Sequence, residues 1–160
     1  MKYTTMLSPA LLVAALVMAG CSNPVDTKPA ETVADTPAPA AGHSHGSGPN
    51  GGVVFDLGNH HAEFTVDHGK QQCTILILGD DGQSPKPVGA TELTLTINET
   101  ATKDGTVVGA MTVAMSPEDA ADGKATKFIG TDPGIGNIAD FEGNVSDEID
   151  GKPALGSFKE

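Results

Sequence analysis

From residue 53 onwards, the chain is a series of short apolar stretches separated by turn residues. Between residues 61 and 67, Ala62, Phe64 and Val66 alternate with polar side chains, and the same two-residue period returns in residues 93–97. This period is typical of a β-strand that is half buried in a sheet. Residues 53–55 open the first predicted strand, and the continuously apolar residues 72–78 predict a buried strand.

The second half of the chain continues in the same way. One long strand is predicted over residues 107–115. The next segment, Ser116-Pro117-Glu118-Asp119, has an N-cap Ser, an early Pro and a later carboxylate, which predict a short helical turn that ends near Gly123. Closing strands are predicted in three further segments, at 126–129, 138–141 and 154–158. Seven or eight short strands with turns between them indicate an all-β fold, a small antiparallel sandwich or barrel.

The first fifty residues have a different pattern. A charged Lys2 precedes an apolar run from Leu7 to Ala19, which is too short to cross a hydrocarbon core of about 30 Å and is typical of a secretion signal. A tract rich in Pro, Ala, Thr and Asp follows and predicts a disordered stalk. The predicted organisation is therefore a signal peptide over 1–20, a stalk over 21–50 and a β-domain over 51–160.

Composition limits the partners and the core. The net charge of −12 and the isoelectric point near 4.6 argue against nucleic acid or an anionic lipid surface and favour cations. With no Trp, one Tyr and five Phe, the core is expected to depend on Val, Ile, Leu and Met. Twenty Gly and eleven Pro fit many turns and short elements.

The signal ends in Met18-Ala19-Gly20-Cys21, which resembles the lipobox of bacterial lipoproteins. The resemblance implies that the thiol of Cys21 is acylated, that the chain is cut before it, and that acyl chains anchor the exported protein to the membrane of the cell envelope. In a Gram-negative cell that follows the enteric sorting rule, Ser22 indicates the outer membrane, facing the periplasm. An ordinary cleaved signal with a free thiol at Cys21 is the alternative.

All five histidines lie between residues 43 and 68. Imidazole suits zinc, copper and nickel, and a carboxylate can complete such a site. Strand alternation places His61 and Glu63 on one face, about 7 Å apart, so they are the first candidate metal ligands. The further candidates are His60, His68, His43 and His45. The alternative is a run of solvated histidines beside a linker.

Other candidate chemistry is better explained by packing. Cys73 lies in a predicted buried strand, and Met111 and Met115 share a predicted strand face with Val107, so all three are expected to be core residues. The segment 42–46 matches a serine-nucleophile pattern but lacks the strand-to-helix turn that such a nucleophile needs. Since no nucleophile–base pair can be assembled, a non-catalytic protein is expected.

The segment from Asn50 to Gly58, followed by His60-His61-Ala62-Glu63-Phe64, resembles a recurring bacterial envelope module with an HGG-type start and an HAE strand. Similar segments occur in small lipoproteins, notably of planctomycete type, and beside the periplasmic adaptor subunits of heavy-metal efflux systems. In this resemblance His61 and Glu63 occupy the HAE positions, while Asn50 stands where the module has its first His. The resemblance implies a location and a fold more than an activity.

The sequence thus predicts an envelope lipoprotein that binds or buffers a transition-metal cation. The alternative is a structural or protein-interaction module that meets an envelope protein through a sheet face or edge. That alternative predicts an exposed apolar patch or an unprotected edge strand.

Overall fold

The structure is a computed structural model that describes residues 46–160. This part of the chain forms ten β-strands and two short 3₁₀ turns, η1 and η2, and it contains no α-helix. In chain order the elements are β1 (Val53–Leu57), β2 (His60–Asp67), η1 (His68–Lys70), β3 (Gln72–Leu78), β4 (Leu93–Ile97), β5 (Thr100–Ala101), β6 (Val107–Val108), β7 (Met111–Pro117), β8 (Lys127–Thr131), η2 (Pro133–Gly136), β9 (Glu142–Ile149) and β10 (Lys152–Lys159).

Eight of the strands form one antiparallel sheet in the order β1-β2-β3-β8-β7-β4-β9-β10. The sheet curls into a nearly closed barrel, and β5 and β6 make a separate two-stranded sheet. The barrel edges meet at a seam between β1 and β10, where the Gly58 N–H donates to the Leu155 carbonyl at 3.3 Å. A Cβ at Gly156 would overlap the Asp56 carbonyl oxygen, so the seam needs glycine there. The predicted all-β fold is confirmed.

The core fills the barrel interior with the inward-facing residues of each strand. Ala62 and Phe64 are buried and Val66 packs against them, as the alternation in β2 predicts. All five phenylalanines are buried in this core, so it depends on aromatic side chains as well as on the aliphatic ones expected. Phe158 of β10 stacks on Phe64 with ring centroids 4.1 Å apart, and this contact joins the two sides of the seam from within.

Three predicted elements were wrong. The strand predicted over 107–115 is divided at residues 109–110, because β6 pairs with β5 while β7 pairs with β4. The helical turn predicted after Ser116 does not form, since β7 runs on until Pro117 lies opposite Phe128 of β8. The strand predicted over 138–141 is a loop, and the strand begins only at residue 142.

The barrel has two distinct ends. The His60 end carries the turns at 58–59 and 150–151 and the loop at 79–92, whereas the His68 end carries η1, η2, the β5–β6 hairpin, the loop at 137–141 and residue 160. No helix among the described residues is long and apolar enough to cross a membrane. The predicted signal peptide and most of the predicted stalk lie outside the described residues.

Candidate functional site

Glu63 is fully buried, and it is the one buried charged side chain within residues 46–160. Alternation along β2 directs it to the outside of the barrel wall, between Val54 of β1 and Leu76 of β3. Residues 47–52, which we call the N-terminal strap, lie over it and exclude water. Sequence periodicity alone placed Glu63 on a solvent-facing side, and the strap is the reason that it is buried instead.

Three hydrogen bonds from the strap satisfy the Glu63 carboxylate. Oε1 accepts from the backbone N–H groups of Asn50 and Gly52 at 2.9 and 2.8 Å, and Oε2 accepts from the Asn50 side-chain amide at 2.8 Å. Buried carboxylates persist when their oxygens are paired in this way. A metal ion at Glu63 would have to displace these donors, so the contacts assign the residue to holding the strap.

Two glycines let the strap lie this close to the barrel wall. A Cβ at Gly48 would lie 2.5 Å from Cδ of Glu63, and a Cβ at Gly52 would overlap the Phe64 carbonyl oxygen. The NGG start and the HAE strand therefore meet in space, through Asn50 and Glu63. Asn50 was not among the predicted site residues, and its place in the NGG start was the signal that could have identified it.

His61 lies on the same outer face, near the His60 end of β2. It is directly opposite Asp56 of β1, and its Nδ1 atom lies 3.0 Å from Asp56 Oδ1. Both side chains are partly exposed, by 26% and 31%. A carboxylate beside Nδ1 favours a proton on that nitrogen, which makes Nε2 the lone-pair nitrogen of the neutral ring.

His60 points to the opposite side of β2, as the alternation predicts, and lines a cleft of about 200 Å³ at the His60 end. Its Nε2 atom lies 4.0 Å from Asp150 Oδ2, and its buried Nδ1 atom has no hydrogen-bond partner within residues 46–160. Burial lowers the pKa of His60, and the nearby Lys86 lowers it further. The cleft also contains Lys152, so basic and acidic groups are mixed in it.

His68 begins η1, at the other end of the barrel. Since β2 contains eight residues and a strand rises about 3.3 Å per residue, His60 and His68 are separated by roughly 25 Å along the wall. The Nδ1 atom of His68 lies 2.8 Å from the Ile135 carbonyl oxygen, so this nitrogen carries the proton and donates. His68 therefore cannot share an ion with His60 or His61.

His68 lines a second cleft, of about 190 Å³, together with Lys103, Asp140 and Glu160. Glu160 Oε2 accepts from the Phe141 N–H at 2.9 Å. Burial raises the pKa of the Glu160 carboxyl, and the like charge of Asp140 raises it further, while His68 acts in the opposite direction. The charge of Asp140 thus reaches the Glu160 carboxyl in this cleft.

Two large apolar side chains stand beside this second cleft. Ile138, on its lining, is 72% exposed, and Val107 is 66% exposed. Val107 pairs with Ala101 across the β5–β6 hairpin, and Ala101 lines the cleft. The sequence pattern does not reveal this surface, because it predicts Ile138 in a strand and Val107 on a buried strand face. The Asp132-Pro133 turn signal, which ends the preceding strand, was the clue that residues after it form a loop.

The structure brings together fewer of the predicted ligands than the sequence pattern indicated. Within residues 46–160, no three His, Cys, Asp or Glu side chains are grouped so that they could hold a metal ion. His43, His45 and the predicted lipidation site Cys21 lie outside the described residues. His60, His61 and His68 occupy three separate surroundings.

Cys73 has the surroundings of a structural residue. It is fully buried, its Sγ atom lies 3.6 Å from Met115 Sδ, and burial raises the pKa of its thiol to about 12. Met115 is fully buried and Met111 packs against the core. The prediction that these three residues belong to the core is confirmed. Val107, by contrast, is exposed, so its predicted place on the same face was wrong.

Comparisons with known proteins assign no relatives to this chain. No family model, no curated protein and no solved structure matches it.

Proposed function

We propose that this protein is an exported, lipid-anchored envelope protein whose β-barrel is a non-catalytic interaction module. The lipobox-like Met18-Ala19-Gly20-Cys21 supports the anchor, and the low-complexity tract before residue 46 supports display of the barrel away from the membrane. Acylation of Cys21 predicts a tryptic N-terminal peptide carrying acyl chains, which mass spectrometry of the native protein would detect. A free thiol at that position would contradict the anchor.

The exposure of Ile138 and Val107 at the His68 end is the observation that carries the interaction role. Large apolar side chains that are exposed at one end of a domain are typical of protein-interaction surfaces. The two described clefts, of about 200 and 190 Å³, are smaller than the usual small-molecule pocket of about 300–1,000 Å³. At the His68 end, a partner that covers the exposed side chains therefore fits better than a substrate enclosed in that cleft.

Photo-crosslinking in the cell envelope tests this role. A photoreactive residue replacing Ile138 is expected to give a discrete adduct with another envelope protein. The same residue replacing Lys124, which is exposed in a turn at the His60 end, is the matched control and is expected to give none. Equal labelling from both positions, or no adduct from position 138, would exclude the His68 end as the interaction surface.

Binding of a transition-metal cation is the second candidate function, and the His61–Asp56 contact favours it. Metal-ligating histidines commonly have a carboxylate beside the nitrogen that does not bind the metal. His45 and His43 are three and five residues from Gly48, which touches Glu63, and such segments span at most about 10 and 18 Å. His43 and His45 are thus close enough in the chain for us to propose them as partners of His61 on zinc, copper or nickel.

Calorimetric titration of the purified protein with zinc tests the metal site. His61→Ala and the double variant His43→Ala/His45→Ala are expected to abolish the binding heat. His68→Ala is the control and should leave it unchanged, since His68 lies at the other end of the barrel. Unaltered zinc binding in the first two variants would rule out this arrangement.

A further inference from the structure

The second cleft combines two features that together define the chemistry of a partner. Asp140, Glu160 and the exposed Ile138 line it, and the exposed Val107 pairs with Ala101, which is also on the lining. At about 190 Å³ the cleft has room for the end of one long side chain. The partner should therefore present one group that enters the cleft beside the carboxyl groups, and next to it an apolar group that contacts Ile138 and Val107.

Within residues 46–160, neither Asp140 nor Glu160 makes an ion pair, although Lys103 and His68 also line the cleft. Among residues 46–160, the ion pairs involve other carboxylates, such as Lys159 with Glu142 at 3.0 Å and Lys70 with Asp67 at 2.8 Å. Lys103 lines the cleft but makes no ion pair with Asp140 or Glu160 there. A cation brought by a partner would relieve the repulsion between the two carboxyl groups.

The loops around the cleft hold these groups in place. The Thr100 hydroxyl donates to the Asp140 carbonyl at 3.0 Å, and this bond joins the β5–β6 hairpin to the loop at 137–141. The backbone N–H of Glu160 donates to the Phe141 carbonyl at 3.0 Å, and the Phe141 N–H returns a bond to the Glu160 side chain. A preformed surface loses less conformational entropy when it binds a partner.

We infer that the His68 end docks a segment of a partner protein in which a Lys or Arg side chain is next to a large apolar one. The cation lies between Asp140 and Glu160, and the apolar group covers Ile138 and Val107. This inference rests on the proposed interaction role and specifies its chemistry. The net charge of −12 adds long-range attraction for such a segment.

Three short capped peptides test the chemistry. Each is built of Gly and Ser around one Leu, with Lys, Gln or Glu beside it, and binding to the full chain is followed by amide NMR shifts. The Lys peptide is expected to shift the signals of residues 99–104, 137–141 and 160 and to bind about tenfold more tightly than the Gln peptide. Equal binding of the Lys and Gln peptides, or binding that shifts only other residues, would overturn the inference.

Two double variants separate local from overall charge. Asp140→Asn/Glu160→Gln should weaken the Lys peptide by about tenfold. Glu92→Gln/Glu148→Gln, which changes the net charge equally through exposed residues at the His60 end, should have little effect. Equal weakening by both would mean unspecific attraction and would contradict a docking site.

A further pair of outcomes distinguishes this inference from the proposed function. If crosslinking from position 138 captures an envelope protein and the adduct survives Asp140→Asn/Glu160→Gln, the interaction role stands and the cationic partner is wrong. If position 138 gives no adduct, the interaction role fails as well. Binding of the chain to phosphatidylcholine vesicles that is lost in Ile138→Ser would replace the protein partner by a bilayer and also overturn the inference.

Discussion

Removing the Glu63 carboxylate tests the most specific contact in the molecule. Glu63→Ala leaves three donors of the N-terminal strap without their acceptor, namely the Asn50 N–H, the Asn50 amide and the Gly52 N–H. A hydrogen bond to a charged group contributes about 1.5–3 kcal/mol, but a strap that detaches can bind water again. The free energy of unfolding should therefore fall by about 3–5 kcal/mol.

Milder substitutions should give a graded series. In Glu63→Gln, Oε1 can still accept from both backbone N–H groups, and the Asn50 amide can rotate to accept from the new amide, so a loss of about 1–2 kcal/mol is expected. Asn50→Ala removes one bond and keeps the backbone bonds, with a similar expected loss. Glu92→Ala, at an exposed position, is the control and should change stability by less than about 0.5 kcal/mol.

Urea unfolding followed by circular dichroism measures these differences, and amide hydrogen exchange locates them. The Asn50 and Gly52 amides should exchange much faster in Glu63→Ala. The exchange rates of the core amides in β3 should change only as far as the free energy of global unfolding changes. A loss below about 1 kcal/mol in Glu63→Ala, or an equal loss in Glu63→Gln, would show that the strap is not held as described.

Four further predictions follow from burial and close packing. The pKa of Glu160 in the folded protein is raised above its ordinary value of 4.5, so its ionised form destabilises the fold as pH rises through that folded pKa. Glu160→Gln should therefore raise the melting temperature at neutral pH and give no gain below pH 4.5. The pKa of His60 in the folded protein is lowered from 6.5, so stability is lost as pH falls below 6.5 and through that folded pKa. In this pH range, His60→Gln should make the urea midpoint less dependent on pH. An unchanged slope would contradict this. Cys73, with a pKa of about 12, should resist iodoacetamide in the native protein and react once urea unfolds it, as peptide mapping would show. Gly156→Ala should lower the free energy of unfolding by about 2 kcal/mol or more through overlap at the seam, whereas Gly109→Ala, with open space around it, should have little effect in the same assay.

The strands could be predicted where one face is buried and the other is not. Residues 61–67 and 93–97 have that alternation, and both form the expected strands, β2 and β4. The prediction failed where tertiary pairing overrides a local signal. Ser116 and Pro117 have the residue types of a helix start, but pairing with β8 holds them extended.

The candidate site was less predictable, since it depends on contacts between distant segments. His61 and Glu63 do share the outer face of β2, but the burial of Glu63 comes from Gly48 and Gly52, eleven or more residues away in sequence. The surface around Ile138 requires the hairpin, the 137–141 loop and residue 160 to meet at one end of the barrel. The local pattern of apolar and polar residues does not predict these contacts between distant segments.

The N-terminal strap also determines where mechanical load enters the barrel. Any pull along the chain from before residue 46 reaches the wall at the strap, where Ser47 bridges Val53 and the Gly48 N–H bonds the Gly52 carbonyl. The Glu63 carboxylate links this loop to β2, which is the second strand of the sheet. A pulling force is therefore shared between β1 and β2 before β1 separates from the sheet. A barrel built in this manner resists being unzipped from its own edge when its N-terminal side is pulled.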